Sequence, residues 1–391
     1  MTVVAAASDS GLIDASRCIA ADVAAPNADD VDRQARFPDE AIAAMREASM
    51  LSSLVPADLG GGGASIEAAA TSCFELARCC GASAMVFAMH QIQIACMVHH
   101  LEDSPFFEGY LREVVSEQRL VASITSEVGT GGDMGKSVAA VSAPVDGLVS
   151  FEKQAPTVSY GDHADAFLTT LRRSPDAEPG DQVLVLTRQE QMEMKPQGTW
   201  DPLGMRGTCS PGYVASATFP PEQILATPFS QISSITMTPV SHLLWSHVWL
   251  GIATDAFDRA RAFVRTAARR KPGESLPAAI RLSELMSELS LLRAEVSSAL
   301  REYCELCDDD RNRLLEMATI LRFNNLKIAA SEQAPRVCQG AMSVCGIVGY
   351  KNDTPFSVGR HLRDSMSACL MVANERIHQT DASLLLIAKE V

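Results

Sequence analysis

The last third of the chain carries apolar residues at helical spacing. From Leu244 to Val264, and again from Ile280 to Leu300, they return every three or four residues, which predicts one buried face on each of two helices. A third run of this kind covers Leu314 to Val344, and a fourth extends from Asp364 to about Leu386. Four consecutive helices of this type predict a four-helix bundle.

The first 120 residues also follow a helical pattern. Phe37-Pro-Asp-Glu40 is a good helix start, because proline comes early and acidic residues fill the first turn. A glycine-rich loop from Pro56 to Gly63 separates this helix from two further apolar helices, over Ile66 to Cys80 and Ala84 to His99. The N-terminal part is therefore predicted to be helical.

The pattern changes near residue 121. Up to about residue 225, short β-rich runs alternate with turns of Gly, Pro and Asp, which indicates an antiparallel barrel or sandwich. Representative predicted strands are Leu120–Ile124, Val138–Val141, Ala166–Leu171 and Gln182–Thr187.

These patterns predict an α+β fold of three parts. A chain of 391 residues exceeds one ordinary core, so more than one domain is expected. The predicted domains are an N-terminal helical domain over 1–120, a middle β domain over 121–228, and a C-terminal four-helix bundle over 229–391.

Composition narrows the function classes. Hydrophobic residues make up 47% and charged residues 21% of the chain, as in ordinary globular enzymes. The net charge of −15 opposes general binding to nucleic acid, although a local basic cluster can still hold a phosphate.

The eleven cysteines show no paired framework, which suits a reducing, cytoplasmic location. Cys304 and Cys307 form a single CxxC with no second pair, so no metal site is expected. Charges or histidines interrupt the longest apolar stretches, and the N-terminus lacks a basic leader. We therefore expect no membrane partner and no secretory signal.

Three motifs carry candidate chemistry: Ser126-Glu-Val-Gly-Thr-Gly-Gly-Asp133, Leu203-Gly-Met-Arg-Gly-Thr-Cys-Ser210 followed by Phe219-Pro-Pro-Glu222, and the glycine-rich run Cys345–Asp364. Strand-to-glycine turns present backbone N–H groups to anions or to polar ring edges. In this order and spacing the motifs resemble the acyl-CoA dehydrogenase family of flavoproteins. The resemblance implies FAD as cofactor and an acyl-CoA or acyl-carrier-protein thioester as substrate.

The resemblance also implies roles for residues of the first motif. Ser126 replaces a threonine of the family and keeps a hydroxyl for the pyrimidine edge of the flavin, beside Gly131 and Gly132. Glu127 and Gly129 match positions near the thioester, and they are expected to contact substrate.

Two further segments flank the flavin in the family. The stretch Lys153–Asp165 resembles the strand and loop beside flavin N5 but lacks the usual tryptophan, so either Thr157 or Ser159 supplies the hydroxyl. Met205 and Arg206 of the second motif are expected to lie near substrate.

In relatives, a glutamine and a glycine loop on the C-terminal bundle reach the FAD pyrophosphate of a neighbouring subunit. Gln339, Gly346 and Gly349 match this element and imply a homodimer or homotetramer. Another family motif, after the first bundle helix, is matched only in part by Arg269-Arg-Lys-Pro-Gly-Glu-Ser275. The resemblance implies that Arg269 of this motif can still bind a phosphate.

The family's catalytic base is missing. Removing an α-proton requires a desolvated carboxylate, because desolvation raises its pKa. The family position falls at Val372, and an alternative position on the first bundle helix falls near Ser241. The nearest carboxylate is Glu375, which we take as a displaced base or else as a solvated helix residue; His378 is a weaker candidate.

Three functions remain open. The first is an FAD-dependent dehydrogenase of an acyl thioester in a biosynthetic pathway, which passes electrons to an electron-transfer flavoprotein or to oxygen. The second is a flavin monooxygenase on the same scaffold, which uses externally reduced flavin and oxygen and needs no base. The third is a helical binding protein that has lost flavin.

Overall fold

The computed structural model describes residues 8–270 and 276–388. Its N-terminal part is helical, and a π-helical turn over Ala20–Ala24 joins the first two helices. The helices are α1 Asp9–Ile19, α2 Ala25–Gln34, α3 Asp39–Glu47, α4 Ile66–Ala77, α5 Gly81–His99 and α6 Pro105–Glu117.

Helix α5 lies at the centre of the molecule. It packs against α4, against the first strand and against the C-terminal helices, and its residues are almost all buried. By length and composition α5 matches a membrane-crossing helix, but 89% of its apolar window is buried inside the protein. His90 interrupts this apolar stretch, as expected of the longest ones, and α5 is a core helix.

The middle part contains six strands in two three-stranded sheets. The strands are β1 Val121–Ile124, β2 Val149–Ala155, β3 Ala166–Arg172, β4 Gln182–Arg188, β5 Met192–Gln197 and β6 Gly212–Phe219. One sheet has the order β1-β3-β4 and the other β2-β6-β5.

The burial of strands β2, β3 and β4 explains their patterns of apolar and polar residues. The first six residues of both β3 and β4 are buried on both faces, and both strands read as continuous apolar runs. Strand β2 alternates, with Val149, Phe151, Lys153 and Ala155 directed inward. Lys153 joins the two sheets, since its Nζ donates to the carbonyl oxygen of Thr170 on β3 at 2.7 Å.

Two details of the predicted β region were wrong. Strands β1 and β3 pair in parallel, with Val121 opposite Ala166, whereas all the sheet was expected to be antiparallel. Residues 138–141 form no strand and contribute one isolated bridge, from Ala140 to Arg172. The alternation of short apolar runs indicates strands but does not fix their direction.

The C-terminal part is helical again. Its elements are α7 Phe229–Ile232, α8 Thr238–Arg270, α9 Pro277–Asp309, α10 Met317–Cys345, α11 Ile347–Tyr350, α12 Gly359–Met366 and α13 Asn374–Leu385. A π-helical turn over Ser233–Met237 links α7 to α8. Long helices α8, α9 and α10 pack against one another, as the periodicity predicts.

The fourth predicted helix is interrupted. It is divided into α12 and α13 by seven residues, 367–373, that form turns. Val372 within this segment has φ = +46°, a left-handed conformation that a β-branched side chain rarely adopts. The interruption falls at the position expected for the base.

Candidate functional site

The glycine-rich turn after β1 presents unoccupied backbone donors. Gly129, Gly131 and Gly132 have positive φ, which glycine adopts without strain. The four N–H groups from Gly129 to Gly132 donate no hydrogen bond within the described residues, and both Gly131 and Gly132 are exposed. Such a turn can receive an anion or the polar edge of a ring.

The structure brings this turn together with the loop after β2. Ser126 Oγ donates to the carbonyl oxygen of Thr157 at 2.6 Å, and the Thr157 N–H donates back to Ser126 Oγ at 3.3 Å. The Thr157 side chain is exposed, whereas Ser159 Oγ accepts from Ser210 at 3.0 Å. Of the two hydroxyls left open by the sequence, that of Thr157 is therefore the freer.

Glu127 points away from this surface. Its carboxylate accepts from Ser137 Oγ at 2.6 Å and from the Ala139 N–H at 2.5 Å, and Lys153 Nζ lies 3.4 Å away. Burial lowers the pKa of Lys153 to about 8, although Glu127 partly opposes this change. The contacts of Glu127 thus brace the turn, and its expected contact with substrate stays a prediction.

Met205 and Arg206 fasten the loop between β5 and β6 to helices. The Met205 N–H donates to Asp364 Oδ1 on α12 at 2.7 Å, and its side chain is buried. Arg206 Nε donates to the carbonyl oxygen of Asp32 at 2.8 Å, and its Nη1 bonds Asp201 at 2.6 Å. Both residues therefore hold elements together, and the Arg206 guanidinium is already engaged.

Asp364 is a buried carboxyl beneath this loop. Burial raises its pKa to about 6, while Arg360 and the Met205 N–H act in the opposite direction. Its neighbour Arg363 forms an ion pair with Asp32 on α2. The Arg-Asp pair of α12 thus ties the N-terminal and β parts to the bundle.

The first turn of α13 contacts the glycine-rich turn. Arg376 Nη2 donates to the carbonyl oxygen of Gly131 at 2.5 Å, which places the start of α13 against the turn. Glu375 is exposed, and it forms no hydrogen bond or ion pair with any described residue. His378 is also exposed, and Ser241 is buried on α8.

The second group of predicted cofactor residues lies elsewhere. Gln339 and Gly346 line an open groove of ≈ 660 Å³ at the end of α10, with Ile347, Tyr350 and Met366. The Gly346 N–H donates to Met342 and the Gly349 N–H to Gly346, so these two amides are occupied within the chain.

Arg269 is exposed in the last turn of α8, and residues 271–275 of its motif lie outside the described residues. The structure therefore joins Ser126 to Thr157 by hydrogen bonds, with Gly131 in the same turn as Ser126. No hydrogen bond among the described residues joins this turn to Gln339 or Arg269.

Sequence reasoning missed the charged residues that hold the site. Arg376, Asp364 and Lys153 each bridge two parts of the chain. Asp364 and Lys153 lie at the ends of segments named in the sequence analysis, but no role was assigned to any of the three. The available signal was a charged residue at an inward position, such as Lys153 in the alternation of β2.

Comparison with known families identifies the two helical parts of the chain. The acyl-CoA dehydrogenase N-terminal domain matches residues 8–117, and the acyl-CoA dehydrogenase C-terminal domain matches residues 235–371. Together they span more than half of the chain. The chain belongs to the acyl-CoA dehydrogenase family.

Members of this family differ in activity. The chain is 23% identical to amino sugar nitrososynthase DnmZ from Streptomyces peucetius over 345 residues, covering 84% of this chain and 81% of that protein. It is 22% identical to the mitochondrial short-chain specific acyl-CoA dehydrogenase of Sus scrofa over 343 residues, covering 87% and 80%.

One solved structure extends the comparison. FMN-bound TdsC from Paenibacillus sp. A11-2, a dibenzothiophene monooxygenase, superposes with a TM-score of 0.81 at 20% identity and covers 96% of this chain and 97% of its own. Proteins similar to this chain are thus named for three different activities: a dehydrogenase, a nitrososynthase and a monooxygenase.

Proposed function

We propose that this acyl-CoA dehydrogenase family member is a flavin-dependent monooxygenase, which works with externally reduced flavin and oxygen. The observation that carries the proposal is the lack of a usable base. Valine occupies the position of the family carboxylate, and serine occupies the alternative position on α8.

Glu375 does not replace the missing carboxylate. A base for an α-proton must lie in a desolvated pocket so that its pKa rises. Glu375 is instead exposed to solvent in the first turn of α13. A monooxygenase needs no such base, so the arrangement of residues favours it over a dehydrogenase.

The residues around the glycine-rich turn fit a flavin. The free N–H groups of Gly129 to Gly132 and the Thr157 hydroxyl are the groups that a pyrimidine edge or a phosphate requires. Bound reduced flavin would supply the electrons for oxygen activation. We propose that Ser126 orients Thr157 through their two hydrogen bonds, while Arg376 holds the turn against α13.

FAD and FMN are both candidates for the flavin. FAD follows from the family resemblance, and FMN is present in the TdsC structure. Release of the flavin by heat, followed by chromatography, distinguishes the two.

We also propose that the protein is a homodimer or homotetramer. The groove at the end of α10 exposes Ile347 and Tyr350, each 69% accessible, and large apolar side chains grouped in this way mark an interface. A second subunit would cover them and bring Gln339 towards a neighbouring flavin. Sedimentation velocity of the purified protein tests this assembly.

A dehydrogenase acting on acyl thioesters is the second candidate, because the family includes the short-chain acyl-CoA dehydrogenase named above. Anaerobic titration of the flavin-loaded protein with short acyl-CoAs and acyl-carrier thioesters separates the two. We expect no bleaching of the flavin absorbance. Bleaching would identify a dehydrogenase instead.

The positive test supplies a flavin reductase, NADH and ¹⁸O₂. Dibenzothiophene and an amino sugar serve as probes, since related proteins are named for these substrates. Incorporation of ¹⁸O that requires the reductase supports the monooxygenase. A protein that binds neither FMN nor FAD would instead be a helical binding protein.

A further inference from the structure

A fully buried lysine lies beneath the segment that joins α12 to α13. Lys327 on α10 has 0% exposure, and its Nζ donates to Asn374 Oδ1 at 2.6 Å and to the carbonyl oxygen of Val372 at 3.1 Å. An ammonium is rarely buried in this way, because its desolvation is unfavourable. Its contacts therefore require an explanation beyond packing.

The same face of α10 holds the segment at a second point. Ser331, one turn after Lys327, accepts a hydrogen bond from Asn374 Nδ2 at 3.1 Å. The Ser331 carbonyl oxygen lies 3.3 Å from Cys369 Sγ, and the Asn374 N–H donates to the Cys369 carbonyl oxygen at 3.2 Å. Residues 369–374 are thus fixed at both ends by one helix.

The segment needs this support because its backbone is strained. A β-branched residue in the left-handed region is strained and persists only when neighbouring contacts enforce it. Val372 has this conformation, and its carbonyl oxygen is an acceptor for Lys327. The lysine offers three donors, of which one holds the strained residue and another holds the residue two positions later.

We infer that Lys327 is a positioning residue, which fixes the backbone of Val372 and thereby shapes the wall of the candidate site where relatives carry their base. The effect on activity rests on the proposed function, whereas the effect on the backbone does not. Burial lowers the pKa of Lys327 to about 8, and Cys369 and Glu375 partly offset this change. The group therefore remains mostly an ammonium at neutral pH.

Amide hydrogen exchange of the full-length protein tests the inference. Lys327→Met keeps the aliphatic stem and removes the donors, so exchange over residues 369–374 should increase about tenfold. Lys153→Met is the matched control, because it also removes a buried lysine but lies in the β region. It should leave exchange over 369–374 unchanged even if the protein is less stable.

A second variant separates positioning from filling of the core. Glycine adopts positive φ without strain. Adding Val372→Gly to Lys327→Met should therefore restore much of the protection from exchange that Lys327→Met removes over residues 369–374. If Lys327→Met does not fold, Asn374→Ala removes one acceptor and should raise exchange over the same residues. Unchanged exchange in the folded variant, or no rescue by Val372→Gly, would overturn the inference.

The exchange result and the activity result are independent. If exchange changes as expected but the wild-type protein incorporates no ¹⁸O, the proposed monooxygenase function fails and the positioning role stands. If ¹⁸O is incorporated by the wild type and exchange is unaffected in Lys327→Met, the positioning role fails alone.

Discussion

Val372, just before α13, and Glu375, in its first turn, have different surroundings. Val372 is half-buried and is held by Lys327, whereas Glu375 is exposed and has no partner among the described residues. A general base acts only when its environment shifts its proton affinity towards that of the reacting group. At this scale, the environment of the carboxylate matters more than its distance along the chain.

Replacement of Glu375 by glutamine is therefore expected to have little effect. Substitution of an exposed residue without partners changes stability by about 0.5 kcal/mol or less. We expect Glu375→Gln to leave the kcat/KM for ¹⁸O incorporation within about twofold of wild type. Asp133→Asn, in the glycine-rich turn, is a comparison for loss of one negative charge. A hundredfold loss in Glu375→Gln alone would instead support the displaced base.

At the scale of elements, the loop between β5 and β6 approaches α12 so closely that only glycine fits. A Cβ atom on Gly204 would lie 2.0 Å from the Arg363 carbonyl oxygen. The same approach brings the Met205 N–H to Asp364 at 2.7 Å. This contact connects the β part to the bundle.

A methyl group at Gly204 should therefore separate two elements. We expect Gly204→Ala to lower the free energy of unfolding by about 3 kcal/mol, because backbone rather than a flexible side chain must move. Gly132→Ala is the control: the position has φ = +83° and no atom within 4 Å, so about 1–2 kcal/mol of conformational strain is expected. Urea denaturation measures both. Equal losses would show that the close approach contributes nothing.

Most helices and strands could be predicted from the sequence, but few of the contacts between them could. Periodicity located the long helices, and the glycine motif located the turn that receives Thr157. The break at Val372 was missed, because residues 367–373 contain neither glycine nor proline and the strain is enforced by Lys327 from another helix. Similarly, the motif identified Glu127, but only the tertiary contact with Lys153 shows where its carboxylate points.

At the scale of the whole molecule, burial favours the neutral form of three of the five buried histidines, His90, His242 and His247. His90 Nδ1 accepts from the Val121 N–H at 3.0 Å and its Nε2 donates to the Leu51 carbonyl oxygen at 2.7 Å, while His247 Nδ1 donates to the Leu243 carbonyl oxygen at 2.8 Å. Burial lowers the pKa of His90 and His247 to about 4 and that of His242 to about 3. These groups make the stability of the entire chain dependent on pH.

The direction of this dependence follows from proton uptake on unfolding. In the unfolded chain each histidine titrates near pH 6.5, so the unfolded state binds more protons between pH 6.5 and about 4. The stabilisation is fully present above pH 6.5 and is lost as the pH falls through this window. Each residue contributes about 2 kcal/mol of loss at pH 5. The raised pKa of Asp364 acts in the opposite sense, by about 1 kcal/mol at that pH.

These three histidines and Asp364 alone should lower the free energy of unfolding by about 5 kcal/mol between pH 7.5 and pH 5, a large part of the stability of a typical protein. The lowered pKa values of His100 and His361 act in the same direction. Urea denaturation at pH 7.5, 6 and 5 measures the change. His247→Gln should reduce the difference by about 2 kcal/mol, because one proton-binding group is removed from the unfolded chain. Replacement of the exposed His378 by glutamine is the control for loss of an imidazole. If the free energy of unfolding is constant over this range, the buried imidazoles do not govern the acid stability of the protein.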